Sequence, residues 1–204
     1  MNYINFRNQF FEAGCFSTHQ IYAWYPDFDR NNLTRWVNRK LLVKLRQGFY
    51  AFPEYRDVPG FQWYLSNQMY KPSYISLHAA LAFYDIIPEA VTQITAVGAL
   101  KTIDFENDFG TYTYQQIRSE LMFGYELKPF NSKTVLFAYP EKAILDLLYL
   151  YPFYNTPEEM EELRFDEYFM ENELDMKKMM EYLRLFNVKA LEKRVDLLLK
   201  VHDL

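Results

Sequence analysis

The sequence has a single cysteine, Cys15, among its 204 residues. One thiol cannot form an internal disulfide, and this usage is typical of a protein of the reducing cytoplasm. No run of about 18 apolar residues is present, so no transmembrane helix is predicted. The opening segment, MNYINFRNQFFEAG, lacks the basic region followed by an apolar core that marks a secretory signal. We therefore expect a soluble cytoplasmic protein.

The sequence also lacks the common nucleotide-binding and catalytic motifs. Neither GxGxxG nor GxxxxGK[ST], the two commonest loops that cradle phosphates, is present. GxSxG and HExxH are absent as well. His19 follows Cys15 by four residues, but no further ligands cluster nearby, and a structural zinc site needs four. We expect no catalytic residue, no metal and no cofactor, and hence a protein that is not an enzyme.

One acidic segment keeps an enzymatic alternative open. Asp104, Glu106 and Asp108 alternate in the sequence IDFEND and could in principle gather a divalent ion. A nuclease would want a lysine in the same cluster, and Lys101 precedes the segment at an unsuitable place. Carboxylates in strand-to-turn segments are usually solvated. A metal-dependent, nuclease-like enzyme is therefore the less favoured alternative.

Aromatic residues and charge, by contrast, are both informative. Aromatics make up 19% of the chain, which predicts a well-packed globule and argues against disorder. Residues 1–57 contain 8 Lys and Arg against 5 Asp and Glu, a net charge of +3. The remainder contains 14 against 22, a net charge of −8. A basic N-terminal module thus precedes an acidic body, and a phosphate backbone would bind to the first part.

The segment from Arg30 to Phe52 predicts a short helix followed by a two-stranded hairpin. At helical spacing, one face of the helix is apolar and should be buried, with Asp29 as a plausible N-cap. Basic and apolar residues then alternate as in a half-buried strand, and Gly48 supplies the turn. An earlier helix is predicted to begin at Ser17, where Gln20 completes a capping box. Together these elements predict a winged helix-turn-helix.

The polar face of this helix and the hairpin predict a DNA-binding surface. From Arg30 through Pro53 there are six basic residues and no acidic one. An α-helix fits the major groove of B-DNA, where Asn and Arg can each make two hydrogen bonds to a base edge. The residues expected to reach base edges are Asn31, Thr34, Arg35 and Asn38. Those expected to meet phosphates are Arg39, Lys40, Lys44 and Arg46.

The rest of the chain predicts a mixed domain. We place a connection at 58–72, with a short helix inside it, and a second domain at 73–204. A helix is predicted from Ser73 to Tyr84, and His78 within it is interpreted as a packed, hydrogen-bonded residue and not as a catalytic base. Strands and helices then follow in the second domain. In the first domain, Trp24 and Trp36 are both assigned to the core. The predicted strands are 92–97, 102–105, 110–118 and 134–138, with a further one within 120–127, and the predicted helices are 138–149, one starting at Thr156, 175–186 and 188–204.

The fold class predicted from these patterns is α+β. A winged helix-turn-helix spans residues 1–57. The second domain combines a small, mostly antiparallel sheet with C-terminal helices.

Three segments resemble one bacterial family. The chain is similar to the AbiEi-type antitoxins of type IV toxin–antitoxin systems and to their transcriptional-regulator relatives. The resemblance covers roughly residues 16 to 200, and its most specific piece is Pro140 to Tyr149. The segments that carry it are RQGFYAFP, YISLHAALAFYDIIPEA and TVLFAYPEKAILDLLYL.

The resemblance implies a DNA-binding domain that represses its own operon. It also implies a C-terminal domain that counters a nucleotidyltransferase-like toxin, without a stable complex between the two proteins. The expected partners are therefore double-stranded DNA of the operator region and, functionally, a toxin. A protein-interaction module that uses the winged helix for docking is the main alternative. Failure to bind any duplex, whatever the salt concentration, would favour that alternative.

Overall fold

The computed structural model describes residues 1–204, which form nine α-helices and nine β-strands. No helix is long and apolar enough to cross a membrane. Short 3-10 turns and a π-helical segment at Phe169–Glu173 complete the secondary structure. The helices are α1 (Tyr3–Phe10), α2 (Thr18–Trp24), α3 (Asn31–Asn38), α4 (Phe61–Met69), α5 (Leu77–Phe83), α6 (Pro140–Leu150), α7 (Pro157–Glu161), α8 (Met176–Phe186) and α9 (Lys189–Val201).

The strands form two sheets. The first has three antiparallel strands in the order β1-β3-β2, and the second has six strands in the order β6-β7-β5-β4-β9-β8. Three of the five pairings in the larger sheet are antiparallel. The predicted mixed fold, with a mostly antiparallel sheet and C-terminal helices, is thus confirmed. The strands are β1 (Cys15–Ser17), β2 (Val43–Arg46), β3 (Phe49–Ala51), β4 (Ser73–Ile75), β5 (Ile94–Gly98), β6 (Ile103–Asn107), β7 (Gly110–Gln116), β8 (Tyr125–Phe130) and β9 (Lys133–Ala138).

An aromatic core holds α1, α2 and α3 against one face of the small sheet. Its centre is Phe6, which is fully buried and whose ring lies 4.7 Å from that of Trp36 and 5.2 Å from that of Phe16. Aromatic pairs of this kind stabilise a core beyond the area that they bury. The buried members of this cluster are Phe6, Phe10, Phe16, Ile21, Phe28, Leu33, Trp36, Leu42, Tyr50 and Phe52.

The other face of the small sheet packs against the larger core. Cys15, Val43, Leu45 and Ala51 belong to the same buried cluster as α4 and the six-stranded sheet. At Gly14 the backbone approaches α4 so closely that a Cβ atom would lie 2.6 Å from the Phe61 ring. The N-terminal elements are therefore packed directly on the rest of the protein.

Two predictions are wrong in detail, and one strand was missed. Ser73 to Ile75 form strand β4 and not the start of a helix, because they pair with β5 and β9 in the middle of the larger sheet. Trp24 is 65% exposed, because Ile21, Tyr25 and Phe28 take the positions against the aromatic core and leave the indole at the last position of α2 in solvent. Strand β1 was not predicted, since a three-residue strand carries almost no periodicity.

Residues 58–72 do more than connect two domains. Within this stretch α4 buries Phe61, Leu65 and Met69 against the larger sheet. Tyr114 on β7 donates a hydrogen bond to the backbone oxygen of Ser66 over 2.9 Å. The segment therefore belongs structurally to the larger core.

Helix α6 lies at the centre of that core. Pro140 occupies its first turn, as predicted, and Ala143, Ile144, Leu147 and Leu148 are all fully buried. The capping box of α7 at Thr156 is formed, and Asn187 adopts the left-handed conformation between α8 and α9. The C-terminal helical pattern is therefore confirmed.

Candidate nucleic-acid interface

Helix α2 begins with a complete capping box. The backbone N–H of Gln20 donates to Ser17 Oγ over 3.2 Å, and the backbone N–H of Ser17 donates to Gln20 Oε1 over 2.7 Å. These bonds satisfy backbone groups that a helix start leaves free. They also fix α2 against β1, which ends at Ser17. The position of α2 relative to the small sheet is thus set by local hydrogen bonds.

Helix α3 is anchored through its apolar face. Leu33 and Trp36 are buried in the aromatic core, and Tyr3 donates a hydrogen bond to the Leu41 backbone oxygen over 3.1 Å just beyond the helix. The N-cap position is occupied by Arg30 and not by the predicted Asp29, because the helical conformation begins one residue later than expected. The Asp29 carboxylate nevertheless accepts a hydrogen bond of 2.9 Å from the backbone N–H of Asn31, the first residue of the helix. Both ends of α3 are therefore held.

The opposite face of α3 is open to solvent. Asn31, Thr34, Arg35 and Asn38 are all exposed, as the helical spacing predicts. The Arg35 guanidinium donates to the Asn32 side-chain oxygen and lies 3.7 Å from the Asp29 carboxylate. These contacts orient the guanidinium along the helix surface. They also offset part of its charge, which weakens its attraction for a distant phosphate and leaves its remaining donors available.

Three further basic side chains extend this surface. Arg39 and Lys40 follow the end of α3, and Lys44 projects from β2. All three are exposed, and none has an acidic partner within 4.0 Å. Arg30, at the start of the helix, shares both properties. We call the set Arg30, Arg35, Arg39, Lys40 and Lys44 the basic face.

Arg46 lies apart from the basic face. Its Nε donates to the Met69 backbone oxygen over 2.7 Å, and its guanidinium carbon lies 4.2 Å from the centre of the Phe49 ring. Burial lowers the pKa of Arg46 from its ordinary value. Seven of the eight predicted DNA-binding residues are thus individually exposed, whereas Arg46 is half-buried against the larger core.

A second cluster of charged groups lies inside the protein. Lys142 donates to Asp146 and, over 2.8 Å, to the Tyr74 hydroxyl. Asp146 Oδ2 also accepts from Tyr74 over 2.9 Å and from Ser76 over 2.8 Å. All four side chains are fully buried, so this cluster is not open to a substrate. We call it the buried polar cluster.

The electrostatics of the buried polar cluster follow from its burial. Burial raises the pKa of Asp146 and lowers the pKa of Lys142, and the pairing of the two groups opposes both shifts. The periodicity of α6 gave no sign of the cluster, because Lys142 and Asp146 lie beside its apolar stripe. Their spacing of four residues on one helix was the only available signal.

The acidic segment IDFEND does not form a compact site. Asp104 and Glu106 point outward from β6, and Asp108 pairs with Arg56 over 3.1 Å. No group of three or more His, Cys, Asp or Glu side chains is arranged to hold a metal ion. Cys15 is buried while His19 is exposed, so these two residues do not share a site.

Comparison with protein-family models found no match to the chain. A search of curated proteins found no significant match either.

Proposed function

We propose that the N-terminal elements form a winged helix-turn-helix that binds double-stranded DNA. In this arrangement α2 and α3 are the two helices of the motif, and the β2–β3 hairpin is the wing. The observation that carries the proposal is the basic face, which spans one side of α3 and the neighbouring strand β2. Its cations are free of acidic partners except at Arg35.

Within this proposal, α3 enters the major groove. Asn31, Thr34, Arg35 and Asn38 read base edges through their amide, hydroxyl and guanidinium groups. The phosphate contacts come from Arg39, Lys40 and Lys44, which position the domain without reading sequence. Arg46 is left out of the interface, because its guanidinium is engaged with Met69 and Phe49.

The test is a fluorescence anisotropy titration of the full chain. The duplex is taken from the DNA immediately upstream of the gene, with a random duplex of equal length as control, at two salt concentrations. We expect tighter binding to the upstream duplex and weaker binding to both duplexes at high salt. Lys193→Ala, an exposed lysine on α9 within the acidic body, should bind like the unaltered protein. Equal binding to the two duplexes would contradict specific recognition.

We further propose that the protein is a cytoplasmic, non-enzymatic repressor of the type IV antitoxin class. The support is the resemblance of three segments to AbiEi-type antitoxins. The most specific of them, Pro140 to Tyr149, supplies nearly all of α6. In this proposal the protein represses its own operon and counters a nucleotidyltransferase-like toxin.

Co-expression tests the antitoxin proposal independently of DNA binding. The nucleotidyltransferase-like gene nearest to this gene is expressed with the full chain, and growth is measured. We expect rescue both by the unaltered protein and by the double variant Arg35→Ala/Lys44→Ala, because the C-terminal elements carry antitoxin activity in this proposal. Toxicity that persists in the presence of the unaltered, folded protein would contradict the proposal. Operator binding would remain a separate result.

A further inference from the structure

The larger core contains a cavity whose lining residues all lie between positions 78 and 165, outside the segment that forms the basic face. It has a volume of about 450 Å³ and is bounded by α5, the end of α6, the loop before β5 and the segment after α7. Cavities of this size fall within the range that small-molecule ligands occupy in proteins. Its apolar side includes Leu81, Ile87, Val91, Leu147, Leu163 and Phe165.

The apolar residues that line the cavity form its floor, and most of them are buried. Leu81 and Leu147 are fully buried, and Ile87, Leu163 and Phe165 are at most 7% exposed. Val91 is half-buried at the opening. An apolar floor of this kind favours a ligand with a hydrophobic body over a fully hydrated ion.

Three side chains with aromatic rings also line the cavity. The centres of the His78 and Tyr151 rings are 6.0 Å apart, and Tyr154 lines the same cavity. None of these three side chains forms a hydrogen bond within the protein, so the hydrogen bond predicted for His78 is not present and the polar atoms of all three face the cavity unpaired. Flat rings with free polar edges suit a planar ligand.

The charges around the opening are predominantly negative. Glu89 and Glu162 line the cavity, and no lysine or arginine does. Glu89 pairs with Arg164 over 3.0 Å, whereas Glu162 has no basic partner within 4.0 Å. Burial lowers the pKa of His78, so its imidazole is neutral near pH 7 and adds no positive charge.

We propose that this cavity binds a small planar aromatic or heteroaromatic cation. The ring of the ligand would lie on the apolar floor beside His78 and Tyr151. Its cationic group would face Glu162 at the opening. Phosphorylated and other anionic ligands are disfavoured, because the carboxylates outnumber the single arginine. This site is separate from the proposed DNA-binding surface and stands without it.

Three isosteric probes test the ligand class on the full chain. Benzamidine is a planar cation, benzamide is its neutral counterpart and benzoate is its anionic counterpart. Their dissociation constants are measured by titration of the methyl NMR signals of Leu81 and Val91. We expect benzamidine to bind about fivefold more tightly than benzamide, which is the upper end for one exposed ion pair, and benzoate to bind most weakly.

Matched variants test whether the probes bind in this cavity and beside Glu162. Glu162→Gln should remove the preference for benzamidine over benzamide, whereas the exposed neighbour Glu161→Gln should keep it. Val91→Trp places a bulky ring at the opening and should abolish binding of all three probes. Because Val91→Trp could perturb folding, the shifts of the Leu81 methyl signals in the unaltered protein provide an independent location.

Four results would overturn the proposal. They are benzoate binding as tightly as benzamidine, equal losses in Glu162→Gln and Glu161→Gln, probe-induced shifts that avoid Leu81, and no binding of any probe at millimolar concentration.

Discussion

Arg46 donates a hydrogen bond from Nε to the backbone oxygen of Met69, so a residue of the hairpin is tied to the end of α4. Lys44, two residues earlier on the same strand, is exposed. The pairing of β2 with β3 shifts register between these two residues, so Lys44 lies opposite Tyr50 and Arg46 opposite Phe49. This bulge lets two residues of the same strand serve different surfaces, one facing solvent and the other facing the larger core.

Lys44→Ala is predicted to weaken DNA binding without reducing sequence preference. The lysine supplies one phosphate contact, so its loss should lower affinity for every duplex about equally and reduce the salt slope by about 1. The free energy of unfolding should change by less than about 0.5 kcal/mol, because the side chain is exposed. Anisotropy titrations at four salt concentrations measure the slope, and urea denaturation measures the stability.

Arg46→Met is the matched control for Lys44→Ala. Removing the guanidinium leaves the Met69 backbone oxygen without its donor, which should cost about 1–3 kcal/mol of stability. The salt slope of DNA binding should stay unchanged. If Arg46→Met instead reduced the slope as much as Lys44→Ala does, Arg46 would have to contact phosphate after all.

Arg35→Ala is predicted to reduce specificity. An arginine that reads a base edge contributes discrimination, so its loss should cost about 1–3 kcal/mol on the upstream duplex and much less on a random duplex. The proposed contact of Arg35 with a base edge depends on the guanidinium keeping the orientation set by Asn32 and Asp29. The measurement is a competition titration of the two duplexes. An equal loss on both would show that Arg35 acts only through its charge.

Helical spacing predicted the exposed face of α3 because a single helix with one buried face obeys a simple period. The same reasoning failed at Trp24, whose large apolar ring stays in solvent although Tyr25 and Phe28 just after it pack on the aromatic core. Ser73 to Ile75 were also missed. This strand has three residues and carries almost no periodicity, and only Ser76 separates it from α5, so the two elements read as one helix.

The buried polar cluster and the cavity could not be predicted for a related reason. Helix α6 is covered by the sheet and by α8 and α9, so even Lys142 and Asp146 beside its apolar stripe lose contact with water. Which side chains of distant segments surround such a helix depends on the tertiary arrangement. Tyr74 meets Asp146 across 72 positions of sequence, a distance that no local pattern encodes.

Lys142→Met is predicted to destabilise the protein strongly. The change removes the cation that balances Asp146 inside the core, and breaking a buried pair in this way costs about 3–5 kcal/mol. The double variant Lys142→Met/Asp146→Leu removes both charges and should be more stable than the single variant. Urea denaturation of the three proteins measures the difference. A single variant that lost less than about 1 kcal/mol would mean that the cluster contributes little to stability.

Cys15 gives a pH-dependent prediction. Burial raises the pKa of its thiol to about 12, although Lys133 and Lys71 oppose the rise. In the unfolded chain the thiol titrates near pH 8.5, at about its ordinary value. Above that pH only the unfolded state loses the proton, so this group lowers stability as the pH rises from about 8.5 towards 12.

The comparison with Cys15→Ala isolates this effect from the buried tyrosines, which are common to both proteins. Between pH 8 and pH 10 the unaltered protein should lose about 2 kcal/mol more unfolding free energy than Cys15→Ala loses. Parallel urea titrations across this range provide the measurement. Because the thiol lies where the small sheet meets α4, a smaller difference would mean that water reaches this contact. The N-terminal elements would then be less firmly packed on the larger core than the structure shows, and a thiol reagent should label Cys15 rapidly in the folded protein.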